Sequence, residues 1–202
     1  MTHAFSIHEA LRFGWHKTRD HSALLFQVLL TLFALQVTSA IVDKVLAGTV
    51  LGVLASFALA VAGVILGAGF MHIALKLAHS QPAHYHDLVP KAQTVWLYFC
   101  TSVVAGLLVF VGIIALIIPG IYLALRFSMA RFAVLEGAHI TESLRKSSRL
   151  THGHKWKLLW FFLVLGVINL LGALALAVGL LVTIPVSLIA YAHVYLKLKN
   201  RA

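Results

Sequence analysis

His84-x-His86 and His152-x-His154 are the two places where this chain sets metal-binding side chains close together. Imidazole suits zinc and copper. Neither pair has a carboxylate spaced to complete a site, and no H-E-x-x-H motif occurs. The single cysteine, Cys100, excludes an intramolecular disulfide and a cysteine-based metal site. The expectation is therefore no metal and no cofactor. Twelve histidines would still gain charge on acidification, since imidazole protonates near pH 6.5. Acid–base catalysis has little to draw on. The six acidic residues, Glu9, Asp20, Asp43, Asp87, Glu136 and Glu142, all fall near the ends of apolar runs. There are no paired carboxylates, no G-x-S-x-G and no phosphate-binding loop. The reading is a protein that is not an enzyme.

The densest charge lies in 138–157, with Arg145, Lys146, Arg149, Lys155 and Lys157. At helical spacing Ile140 and Leu144 share one face and Arg145 and Arg149 another, and Trp156 and Trp160 follow as an aromatic belt. An interfacial helix over anionic lipid headgroups accounts for this pattern, each cation contributing on the order of 1 kcal/mol. Nucleic acid is not an expected partner: the net charge of +10 is spread over several loops without a recognisable binding fold. The expected partners are a bilayer with anionic headgroups and, alternatively, another membrane protein. Within the apolar runs the polar groups are few: Gln27, Gln36, His72, Tyr122, Asn169 and His193. Asn169 is expected to hydrogen-bond between helices.

These residues are positioned by four stretches that carry no Asp, Glu, Lys or Arg: 21–42, 45–75, 92–125 and 158–196. A membrane helix needs about 20 apolar residues, so each stretch is long enough to cross at least once. Hydrophobic residues make up 61% of the chain and charged residues 11%, well below the quarter usual in soluble domains. Fifteen of the sixteen lysines and arginines group between these stretches, and Lys44 stands apart. Positive loops stay cytoplasmic. The pattern predicts six transmembrane helices in three hairpins, both termini cytoplasmic, in a cell inner membrane. The first hairpin turns near Asp43-Lys44. The second turns near Gly112, which lets Arg126 snorkel to the interface and leaves Pro119 inside a helix that it kinks.

The hairpins end alike. "HIALKL" at 72–77 and "HVYLKL" at 193–198 are echoed by "YLALRF" at 122–127. His72, Tyr122 and His193 thus correspond, as do Lys76, Arg126 and Lys197. "IHEALR" at 7–12 resembles "ITESLR" at 140–145. The chain reads as one integral membrane domain of three repeat units, about 5–78, 84–135 and 138–200. Each is a short cytoplasmic amphipathic helix followed by a helical hairpin whose second helix ends in a cation anchored at the interface.

"PGIYLALRF" at 119–127 followed by "ESLRKSSRLTHGHKWKLL" at 142–159 resembles the membrane domain of glycerophosphoryl diester phosphodiesterases and related bacterial integral membrane proteins. The resemblance is clearest over about 110–200. It implies a six-helix membrane domain. In the phosphodiesterases catalysis belongs to a separate soluble domain that this chain lacks, so the resemblance implies no hydrolytic activity here. The two expectations for function are a membrane scaffold or interaction domain with a basic cytoplasmic face and, alternatively, a small transporter or lipid-handling protein.

Overall fold

The computed structural model describes residues 5–175 and 179–200, and among these the regular structure is entirely helical. Nine α-helices run in chain order: α1 (Ile7–Asp20), α2 (Ser22–Val45), α3 (Val50–Ala78), α4 (Ala92–Ala115), α5 (Ile117–Phe127), α6 (Ala130–Leu135), α7 (Ile140–Leu150), α8 (Lys155–Leu174) and α9 (Leu180–Lys199). A short 3₁₀ turn, Tyr85–Leu88, precedes α4. Among the described residues six segments are long and apolar enough to cross a membrane: Ser22–Val45, Val50–Ala78, Ala92–Ile114, Ile117–Leu135, Lys155–Leu174 and Leu180–Lys199. At 1.5 Å per residue the 24 residues of α2 reach about 36 Å, more than the hydrocarbon thickness of about 30 Å.

The apolar surface is divided between a protein core and an outer face. Ile73 and Leu77 near the end of α3 are buried, whereas Val50 and Phe57 near its start are 79% and 71% exposed. Large side chains exposed along every long helix form far more apolar surface than a soluble monomer carries. The core forms where the second halves of α3 and α9 meet α6. Phe132 of α6 stacks on Tyr195 at 5.2 Å and meets Tyr191 edge-on at 4.8 Å.

Two turns differ from expectation. α2 and α3 are joined over 46–49, where Gly48 adopts φ +75° and Thr49 caps α3 through its hydroxyl. The second turn is at Leu116, the extended residue between α4 and α5. Gly112 and Gly120 do not make that turn; they bring its two arms together. A Cβ on Gly120 would lie 2.8 Å from Ile113 Cα, and one on Gly112 3.1 Å from Gly120 Cα. Pro119 is accordingly the third residue of α5. It lies in the first turn, where its missing N–H costs nothing, so the predicted kink is absent. Pro185 does lie inside α9.

The fourth span is discontinuous. α5 has 11 residues, about 17 Å, and the chain breaks at Ser128-Met129 before α6 completes the span. A broken helix in a bilayer must satisfy its freed backbone groups within the protein. Hydroxyls do so. Ser147 of α7 donates to the Arg126 carbonyl at 2.7 Å and accepts the Met129 N–H at 3.1 Å. Thr151 donates to the same carbonyl at 3.3 Å, and Tyr191 of α9 donates to the Ser128 carbonyl.

This explains the buried face of α7. Ser143, Ser147 and Thr151 are fully buried, so the helix docks on the break through small hydroxyl residues. α1 docks on α9 in a similar way through Ala10, Gly14 and Thr18, with a Cβ on Gly14 falling 2.5 Å from the Val186 carbonyl oxygen. Replacing Ser147 by Ala removes the partner of the Met129 N–H and leaves the Arg126 carbonyl with Thr151 alone. The expected cost is about 1–3 kcal/mol, read as a lower thermal unfolding temperature of the detergent-solubilised protein, with the exposed Ser6→Ala change of the α1 cap costing less.

Candidate functional site

The polar groups gather around one carboxylate. Glu136 follows α6, and its side chain is 14% exposed. Both its oxygens lie 2.8 Å from Lys199 Nζ. The Tyr195 hydroxyl donates to Oε2 at 2.6 Å, and Lys146 Nζ lies 3.3 Å from the same oxygen. His79 Nε2, just past the end of α3, is 3.4 Å from Oε1. Burial pushes the Glu136 carboxyl up, but the Lys199 ammonium, the Tyr195 hydroxyl and Lys146 outweigh it and hold the group below its ordinary value.

Three further contacts involve the corresponding cations. Lys76 Nζ lies 2.6 Å from Asp87 Oδ1, and Asp87 Oδ2 accepts the His84 N–H at 2.9 Å. Burial raises the Asp87 carboxyl, yet Lys76, the His84 N–H and His86 bring it below the usual range. Lys197 Nζ is 2.9 Å from Glu9 Oε1 on α1. Arg126 Nε donates to Ser148 Oγ of α7 at 2.8 Å. The aromatic positions are engaged in two cases. His193 stacks on Phe13 of α1 at 4.1 Å, and Tyr122 lies under Lys155 Nζ at 3.4 Å from the ring centre. His72 Nδ1 and His193 Nε2 are buried without a hydrogen-bond partner.

The five cations proposed from the sequence as lipid contacts separate into two groups. Lys146 is held by Glu136, Lys155 by the Tyr122 ring, and Lys157 sits 5.1 Å from the Phe5 ring centre. Arg145 and Arg149 are exposed one turn apart on α7, with no ion pair or hydrogen bond to a described side chain. Trp156 and Trp160 are also exposed. Asn169 Nδ2 donates to Ser187 Oγ across α8 and α9 at 3.1 Å. The His84 and His86 rings stack at 5.5 Å, and among the described residues no three His, Cys, Asp or Glu side chains cluster as a metal site would require.

No family model, curated protein or solved structure matches the chain.

Sequence reasoning missed the part played in the structure by three residues. Glu136 looked like one acid among six, because its partners lie 10 to 63 residues away. Ser147 entered only as one residue of the segment 142–159 that carries the family resemblance. A signal for it existed: Ala10, Gly14 and Thr18 align with Ser143, Ser147 and Thr151 once "IHEALR" is matched to "ITESLR". Arg131 was counted with the loop cations, yet it falls within the Ile117–Leu135 span.

Breaking the Glu136 cluster is expected to destabilise the fold. Removing one partner of a buried pair costs about 3–5 kcal/mol. Lys199 is 36% exposed, so solvent screening lowers the expectation for Glu136→Gln to about 2–3 kcal/mol. The pH dependence has a defined sign. Glu136 and Asp87 are depressed in the fold, so their contribution is complete above the ordinary carboxylate pKa of about 4 and is lost as pH falls through their lower folded values. Unfolding temperature measured from pH 7 downward should fall below about pH 4, and less steeply in Glu136→Gln.

Proposed function

We propose that this chain is a non-catalytic polytopic protein of a bacterial inner membrane, acting as a scaffold or interaction domain whose basic cytoplasmic face contacts anionic headgroups. Six apolar spans with exposed outer faces support residence in a bilayer. The observation that carries the headgroup reading is the pair Arg145 and Arg149. They stand exposed on α7 beside the exposed Trp156 and Trp160, while Lys146, Lys155 and Lys157 are engaged by protein groups. Two unpaired guanidinium groups near an aromatic belt are suited to lipid phosphates.

The architecture in this reading is a closed ring of three hairpin units. Lys76 of the first unit reaches Asp87 in the second, Arg126 of the second reaches Ser148 in the third, and Lys197 of the third reaches Glu9 in the first. Three corresponding cations making three successive contacts support the repeat, and with it a membrane domain like that of the glycerophosphoryl diester phosphodiesterases. Both termini lie on the cytoplasmic side in this arrangement.

The test is lipid selectivity in reconstituted membranes. Spin-labelled phosphatidylglycerol should associate with the wild-type chain in preference to phosphatidylcholine. Arg145→Gln with Arg149→Gln should weaken that preference by about 1 kcal/mol per residue, roughly fivefold each, with the difference shrinking at high salt. An unchanged preference in the double variant would remove the basis for the reading.

A further inference from the structure

Arg131 is the second residue of α6, inside a candidate span. Charged residues within spans are costly and commonly pair or mark a site; Arg131 stands four residues before the end of its span. Arg126, in the same span, has Ser148. Arg131 makes no hydrogen bond or ion pair to any described residue and is exposed. It opens onto a groove of about 350 Å³ between α3 and α4, which Tyr98 and Ser102 also line. Ser102 Oγ is buried without a partner, and the Tyr98 hydroxyl makes no hydrogen bond to a described residue. An arginine and two residues with unpartnered hydroxyls line one groove that no carboxylate lines. Such a set calls for an oxyanion.

The surroundings define the rest of the ligand. The floor beneath Arg131 is apolar and bare, with Gly63 and Gly67 of α3; a Cβ on Gly67 would meet nothing within 4 Å. On its other side Arg131 borders a second groove of about 560 Å³, running along Gly106 and Val109 of α4 toward Ile121 of α5. Gly106 likewise has open space where a Cβ would stand. Two mainly apolar grooves meeting at one cation match a phosphate that carries two acyl chains. The cation also stands just past the hydroxyl-bridged break, and discontinuous helices are where membrane proteins commonly place ligand sites.

We infer that Arg131, Tyr98 and Ser102 hold the phosphate of a diacyl phospholipid whose chains lie in the two flanking grooves. The inference rests on residence in a bilayer and is independent of the Arg145–Arg149 surface. Its test is native mass spectrometry of the full chain in detergent, titrated with phosphatidylglycerol. One lipid should be retained per chain, whereas a diacylglycerol with the same tails should not be, and inorganic phosphate should not displace it. Arg131→Gln should weaken retention about tenfold, the loss expected for a charge-assisted contact. Gly67→Leu, which fills one groove and leaves Arg131 intact, should weaken it as well, and this second variant stands if Arg131→Gln does not fold.

The double variant Arg145→Gln with Arg149→Gln should keep the retained lipid. Equal retention of diacylglycerol, displacement by inorganic phosphate, or unchanged retention in Gly67→Leu and a folded Arg131→Gln would each overturn the site. If the double variant alone loses the lipid, the Arg131 site fails while the basic surface stands. If the retained lipid survives in the double variant but selectivity in membranes does not change, the basic surface fails and the site stands.

Discussion

The Glu136 carboxylate is the group on which the closed end of the bundle depends. Segments distant in the chain reach it: the end of α3 through His79, α7 through Lys146, and α9 through Tyr195 and Lys199. None of these contacts is local, so none assists the folding of a single helix. They assemble helices already formed. A carboxylate that is 14% exposed is costly to desolvate alone and favourable only when all its partners arrive. It therefore acts as a check on assembly, since a bundle lacking α9 leaves it without its closest partners.

Around that group the packing depends on small side chains. Gly112 and Gly120 bring α4 and α5 together, Gly14 brings α1 onto α9, and Ser147 joins α5 to α6 through its hydroxyl. In a bilayer helices gain little from burying apolar surface against each other, because lipid is equally apolar. Close approach and hydrogen bonds become the available sources of specificity. Gly14, Gly112, Gly120 and Ser147 sit accordingly at helix contacts, while many large side chains, Phe57 and Trp156 among them, lie on the outer faces.

Sequence patterns made part of this legible. Charge-free runs located the apolar spans, because hydrophobic length is a one-dimensional property. Residues that act across distance were opaque. Gly112 carried the mark of a turn, but the same lack of a side chain serves close packing, and the chain turned at Leu116. The discontinuity at Ser128-Met129 had no local breaker, since the hydroxyls that stabilise it come from α7 and α9. The buried faces of α1 and α7 were hidden by their charges. Only the alignment of Ala10, Gly14 and Thr18 with Ser143, Ser147 and Thr151 carries the signal, and it becomes meaningful once both triplets are seen buried.

The docking of α1 on α9 sets an order of events during synthesis. Of the described helices α1 is made before all the others and α9 after them, so the face bearing Ala10, Gly14 and Thr18 has no α9 to pack on until α9 has been made. The contact between Glu9 and Lys197 is thus a late one: however early α1 forms, it cannot close before α9 exists.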